Sequence, residues 1–119
     1  MDQALSKSPF LAMGESTPTC LWNDSIDPDE LASALSWGAV GATCNPVIGL
    51  AALRGRADEW RSWARRYSDA HPAASESEIG WAMIRELTVR AAEAFEPVFI
   101  RHGGVNGRIS IQTDPRLYR

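Results

Sequence analysis

The chain has 119 residues, 45% of them hydrophobic and five of them tryptophan, which supplies apolar material for one compact domain and makes a single core the ceiling. Its formal net charge is −3 and no run of lysine or arginine could track a phosphate backbone, so nucleic acid is not an expected partner. Neither a basic start leading into an apolar stretch nor a run of about 18 apolar residues occurs, so export and membrane insertion are not indicated and a cytoplasmic protein is expected.

Residues 1–17 are mixed and polar, interrupted by Pro9 and Gly14, and read as a leader segment lying over the surface. TCLWND, 19–24, is a short strand candidate. A helix then follows: Asp27 fits an N-cap, Pro28 the first helical position and Glu30 the N3 place of a capping box, with Leu31, Ala34 and Leu35 as an apolar stripe. Gly38 ends it. AVGATCN, 39–45, is a second strand, small and apolar on both faces, and reads as buried. Pro46 opens a helix through Leu53. After Arg54 and Gly55 comes another helix with Trp60, Trp63, Ala64 and Tyr67 on one face, closed by Pro72. Ser75 and Glu78 form a second capping box, which opens the longest helix, 76–95, with Trp81, Ile84, Leu87, Ala91 and Phe95 as its inner stripe. HGGVNG, 102–107, is a loop. RISIQT, 108–113, alternates as a strand, Ile109 and Ile111 on one face and Ser110 and Gln112 on the other. Strands separated by helical crossovers predict parallel pairing in an α/β architecture, with the sheet either open or closed into a barrel.

Cys20 and Cys44 have no metal-ligand spacing and are expected to be unpaired, small and buried. His71 and His102 stand beside Pro and Gly in loop contexts and read as solvated, and no metal site is expected. The stripe of Trp60, Trp63 and Tyr67 reads as core rather than as a stacking platform. No glycine-rich phosphate loop, dinucleotide fingerprint or nucleophile elbow is present.

What stands out is that each strand ends in polar residues: Asp24 in the first, Thr43 and Asn45 in the second, Gln112 in the third. Period two places Trp22 with Asp24, Thr43 with Asn45, and Ser110 with Gln112 on common faces. In a parallel barrel, catalytic side chains collect from several strands at that edge. Local chemistry offers a second reading of each. Asp24 could brace the turn in NDSIDP, Asn45 before Pro46 is a common start of a helix, and Gln112 could close a buried hydrogen bond.

The segments LWNDS, GAVGATCNPVIGL, EIGWAMIRELTVRAAEAFEPVF and NGRISIQTDPRLYR, taken together and in order, resemble the opening third of a transaldolase family protein, over about residues 17–119. The Gly-Ala-Thr-x-Asn-Pro segment is the most specific part. The resemblance implies a (β/α)8 barrel of which residues 18–119 form the first three βα units, truncated after the third strand. It also implies transfer of a dihydroxyacetone unit between sugar phosphates in the pentose phosphate pathway, through a Schiff base on a lysine, with no cofactor or metal. By the same resemblance, Asp24 is the acid and base at the sugar hydroxyl. Thr43 and Asn45 help hold the catalytic water and the hydroxyls of the covalent adduct, which makes Asn45 a substrate-binding residue.

Gln112 stands where standard transaldolases have a glutamate that handles water together with Thr43. An amide can hold a water but cannot take up a proton as a carboxylate does. Fructose 6-phosphate aldolase-like members of the superfamily carry Gln in that place, so the departure bears on transfer against cleavage. The Schiff-base lysine of the family lies on the fourth strand, and the one lysine here, Lys7, precedes the first. A lysine-less sugar-phosphate binding module or a nonfunctional fragment is therefore the alternative expectation. Three parallel strands also leave open edges through which copies could self-associate.

Overall fold

The computed structural model of the chain describes residues 8–116; Lys7 and the other residues of 1–7 lie outside the described residues, as do 117–119. Eight elements follow in order: α1 (Pro9–Ser16), β1 (Trp22–Asn23), α2 (Pro28–Ser36), β2 (Gly41–Cys44), α3 (Pro46–Gly55), α4 (Ala57–Ala70), α5 (Glu76–Arg101) and β3 (Arg108–Ile111). The strands form one sheet in the order β1-β2-β3, parallel throughout. The protein is thus α/β, with helices in every crossover.

Register fixes which side chains share a face. Trp22 pairs with Gly41 and Asn23 with Ala42, while Gly41 to Cys44 pair in step with Arg108 to Ile111. Ala42 and Cys44 are buried in the core with Leu31, Ala34, Leu53, Trp60, Leu87, Ala91, Phe95 and Val98, and Ile109 packs on them. That face of the sheet carries the helical layer. On the opposite face Trp22 is 42% exposed, Thr43 half-buried and Ser110 exposed, because none of the described helices covers it.

Local chemistry explains most helix ends. Asp27 accepts from the N–H groups of Asp29 and Glu30, at 3.0 and 3.1 Å. The box is not completed by Glu30, since the Asp27 N–H donates instead to Ser25 Oγ at 3.1 Å. Gly38, at φ +90, lets its own N–H reach Leu35 O and that of Ala39 reach Ala34 O, which satisfies two terminal carbonyls of α2. At Ser75 both arms of the capping box form: its hydroxyl accepts from the Glu78 N–H, and its own N–H donates to Glu78 Oε2 at 2.7 Å.

β2 and β3 are each four residues long, shorter than the expected 39–45 and 108–113, α3 runs on to Gly55, and three further elements depart more from the sequence expectation. Part of the supposed leader is helical, because Pro9 sits in the first turn of α1, where its missing N–H costs nothing, and starts that helix rather than breaking it. β1 covers two residues instead of six. Asn23 Nδ2 donates to Ser25 O and so draws the chain into a local turn. α5 runs to Arg101, through Pro97. Proline inside a helix removes one backbone bond, and the full burial of Phe95 and near-full burial of Val98 on either side of it offsets that loss.

Gly107 closes the fold at the β3 side. Its N–H donates to Val40 O at 2.6 Å, its φ is +80, and a Cβ there would press into the main-chain N and Cα of Phe99. Gly107→Ala is expected to cost more than about 2 kcal/mol in urea unfolding. Gly80→Ala, in open space within α5, should instead stabilise by roughly 0.5–1 kcal/mol.

The Ser75 bonds hold the Glu78 carboxyl below its ordinary value of 4.5. A lowered carboxyl contributes stability that is present above that value and lost as pH falls through the folded-state value. Stability measured between neutral pH and pH of about 3 should therefore fall less steeply in Glu78→Gln than in the parent.

Candidate functional site

The C-terminal ends of β1 and β2 meet at a direct contact. Asp24 follows β1 by one residue and, in the register of Asn23 with Ala42, stands opposite Thr43. The Thr43 hydroxyl donates to Asp24 Oδ1 at 2.7 Å. A short bond from a hydroxyl to a carboxylate oxygen is charge-assisted, so it orients both groups. Thr43 can be held this way because its β-branched side chain sits on a pleated strand between two paired neighbours.

Asn45 and Gln112 lie one pleat further along. Continuing the pairing of Cys44 with Ile111 brings Asn45 opposite Gln112, and the Gln112 N–H donates to Cys44 O at 3.3 Å, so the ladder runs past the end of β3. Asn45 is the N-cap of α3: its Oδ1 accepts from the Ile48 N–H at 2.9 Å. Its amide nitrogen remains as a donor, so capping and a role in a site are compatible. The Gln112 side chain is exposed and makes no hydrogen bond to Asp24, Thr43 or Asn45 among the described residues. The structure therefore joins two of the four polar strand-end residues directly and aligns the other two by register.

Thr43 alternates with Cys44, which faces the helices. Burial pushes the Cys44 thiol up, further raised by the Asp24 charge and partly countered by a bond with the Gly49 main chain. A raised thiol is a poor nucleophile, and Cys44 behaves as a small core residue. Cys20, by contrast, is exposed, and both cysteines are unpaired.

Two clefts flank this region. Asp24 lines one of about 550 Å³ against α2, with Asn23, Ser25, Asp29, Glu30, Ser33 and Trp37. A larger one, about 1240 Å³, opens between α4 and α5 with Trp63, Tyr67, Trp81 and Arg85 in its walls, and it shares no lining residue with the first. In it Trp63 stacks on Tyr67 and Tyr67 on His71, at 5.2 and 4.1 Å between ring centres; of that stripe Trp60 is fully in the core, Trp63 is half-buried against it, and Tyr67 lines the cleft. His102, read from sequence as solvated, is half-buried and bonded to Asn106 Nδ2 at 2.7 Å.

The sequence reading passed over Asp114. It is 8% exposed and grips Arg116 through Nε and Nη2, and Nη2 also donates to Ser77 Oγ at 2.8 Å. Arg116 holds the Asp114 carboxyl below the usual carboxylate range. The group ties the chain after β3 to the start of α5. Its only signal in sequence is Asp-Pro directly after a strand, a common turn pattern.

These features describe an α/β protein whose parallel strands gather carboxylate, hydroxyl and amide groups at their C-terminal ends. The chain is related to the transaldolase family: it is 36% identical over 110 residues to the transaldolase of Acidothermus cellulolyticus, an alignment covering 82% of this chain and 27% of that protein. It therefore spans well under half the length of that relative. No protein-family model and no solved structure matches the chain. No helix among the described residues is long and apolar enough to cross a membrane.

Asn45→Ala should lower stability by about 1 kcal/mol in equilibrium urea unfolding, whereas Asn45→Ser, which keeps a capping oxygen, should stay within a few tenths of the parent. Equal stability of both variants would mean that the cap is not holding α3.

Proposed function

We propose that this chain supplies the first strands of a transaldolase-like site, as the first three βα units of a parallel (β/α)8 barrel. The enzyme so formed would transfer a dihydroxyacetone unit between sugar phosphates in the pentose phosphate pathway of the cytoplasm, without metal or cofactor. The observation that carries the reading is the 2.7 Å bond from Thr43 to Asp24 at the C-terminal edge of paired parallel strands, in a chain related to a transaldolase.

In this reading a lysine amine from polypeptide outside these residues attacks the ketose carbonyl, and water leaves to give an imine. Asp24 takes the proton of the hydroxyl next to the scissile bond as that carbon–carbon bond breaks. The bond's electrons pass to the imine nitrogen, and an aldehyde departs. Asp24 returns the proton when the acceptor aldehyde adds. Thr43 and Gln112 steer the water that makes and breaks the imine, Asn45 binds substrate hydroxyls, and Thr43 keeps the carboxylate aimed across the strand ends. A second reading, a sugar-phosphate binding module without chemistry, is favoured by the fact that Lys7 is the one lysine of the sequence. Expressed alone, the chain would self-associate through the open edges of β1 and β3.

The test is borohydride trapping of the gene product purified from its source, in the presence of fructose 6-phosphate, followed by intact mass and peptide mapping. A product heavier than 13.0 kDa with a reduced adduct on a lysine beyond residue 119, and none on Lys7, is expected. In that product Asp24→Asn should slow transfer by about 100-fold or more. An adduct on Lys7, or none at all, overturns the reading, and the second outcome leaves binding alone.

A further inference from the structure

The open face of the sheet carries one large apolar group beside the polar pair. Trp22 lies two residues before Asp24, on the same face and one pleat further from the strand ends. Its indole is laid across β2: a Cβ built on Gly41 would meet Trp22 Cε2 and Cζ2 at 2.8 Å. Gly41 is two residues from Thr43, so its missing Cβ points to the face on which Thr43 bonds Asp24, and that is where the ring lies. A glycine inside a strand marks a close approach, and here two groups approach, the ring and the Arg108 carbonyl oxygen, which a Cβ would also meet at 2.8 Å. The ring is nonetheless 42% exposed, whereas the sheet's other face is closed by the helices.

A flat ring that is held from below by a strand, half open above, and next to a hydroxyl–carboxylate pair matches the two-sided chemistry of a polyhydroxylated carbon chain. Such a ligand has C–H groups that pack on an aromatic surface and hydroxyls that seek fixed acceptors and donors. We propose that Trp22 is the floor of the site, a positioning residue that takes the C–H face of an open-chain sugar while Asp24 and Thr43 take its hydroxyls. The proposal rests on the sugar reading given above and adds to it the residue that sets how deep the carbon chain sits. Gly41 is part of the device, because a side chain there would press on the ring as well as on the Arg108 carbonyl.

The experiment is a titration of the full gene product with D-glucitol, an open-chain polyol, followed by two-dimensional NMR of the main-chain amides and the indole N–H groups, in the parent, Trp22→Leu, Trp22→Phe and Asp24→Asn. Because Trp22 lies outside the core cluster, on the opposite face of the sheet, the substitutions leave the core intact, and thermal unfolding of each variant verifies that. The Thr43 amide and the Trp22 indole are expected to shift together in the parent. Trp22→Leu, which stays apolar but loses the ring, should weaken binding about tenfold, and Trp22→Phe should stay within about twofold of the parent. Shifts at Thr43 with full affinity in Trp22→Leu overturn the floor and leave the sugar site standing. Absence of any shift at Thr43 in the parent overturns the sugar site and the floor with it. Weakening in Trp22→Leu with none in Asp24→Asn removes Asp24 from the site and overturns the shared grip proposed here.

Discussion

The constraint on which the rest depends is the place of β2 between two parallel neighbours. Both of its edges are paired, so Gly41, Ala42, Thr43 and Cys44 each have a fixed opposite number on β3, and Gly41 and Ala42 on β1 as well. Alternation then leaves no freedom. Ala42 and Cys44 must face the helices, and Thr43 must face the other way, toward the end of β1. Small residues at 42 and 44 let α3 and α5 come close: the Gly49 main chain bonds the Cys44 thiol, and a Cβ on Gly49 would run into Ile84 of α5. A slip of one residue would bury Thr43 and expose the core residues.

The polar cluster follows from the same rule. Asp24 and Thr43 meet because the chain leaving β1 stays level with β2 for one step past the pair Asn23–Ala42, and Asn45 and Gln112 stand level because the ladder between β2 and β3 runs past Ile111. A helix begins at once after β2, with Asn45 as its cap, so one residue both terminates the strand and presents an amide at the sheet edge. Economy of this kind explains why sequence position alone gives Asn45 two readings. The hydrogen bond to Ile48 accounts for its oxygen and leaves its nitrogen as a donor.

Much of the fold was legible in the sequence because its signals are short-range. The caps at Asp27, Asn45 and Ser75, the stop at Gly38, the stripe from Leu87 to Phe95 and the alternation of Arg108 to Ile111 each involve residues within a few positions of one another. The misses were of two kinds. Local chemistry unread in the sequence started α1 at Pro9 and shortened β1 through the Asn23–Ser25 turn, whereas long-range packing keeps Pro97 in a helix, with Phe95 and Val98 buried by distant parts of the chain, and lays α5 alongside α4 so that Trp63 and Tyr67 line a cleft.

At the site the division is similar. The sequence by itself determined which polar residues end each strand, their parity, and that Lys7 is the one lysine, since these depend on order and period two alone. Tertiary structure decided that Asp24 and Thr43 touch while the Gln112 side chain stands apart, that the Trp22 ring lies across Gly41, and that Asp114 and Arg116 pin the end of β3 to Ser77. Those facts require the register between strands 19 residues apart in sequence and the angle at which helices cross the sheet. Both are set by the packing of the whole core, which no local stretch of the chain contains.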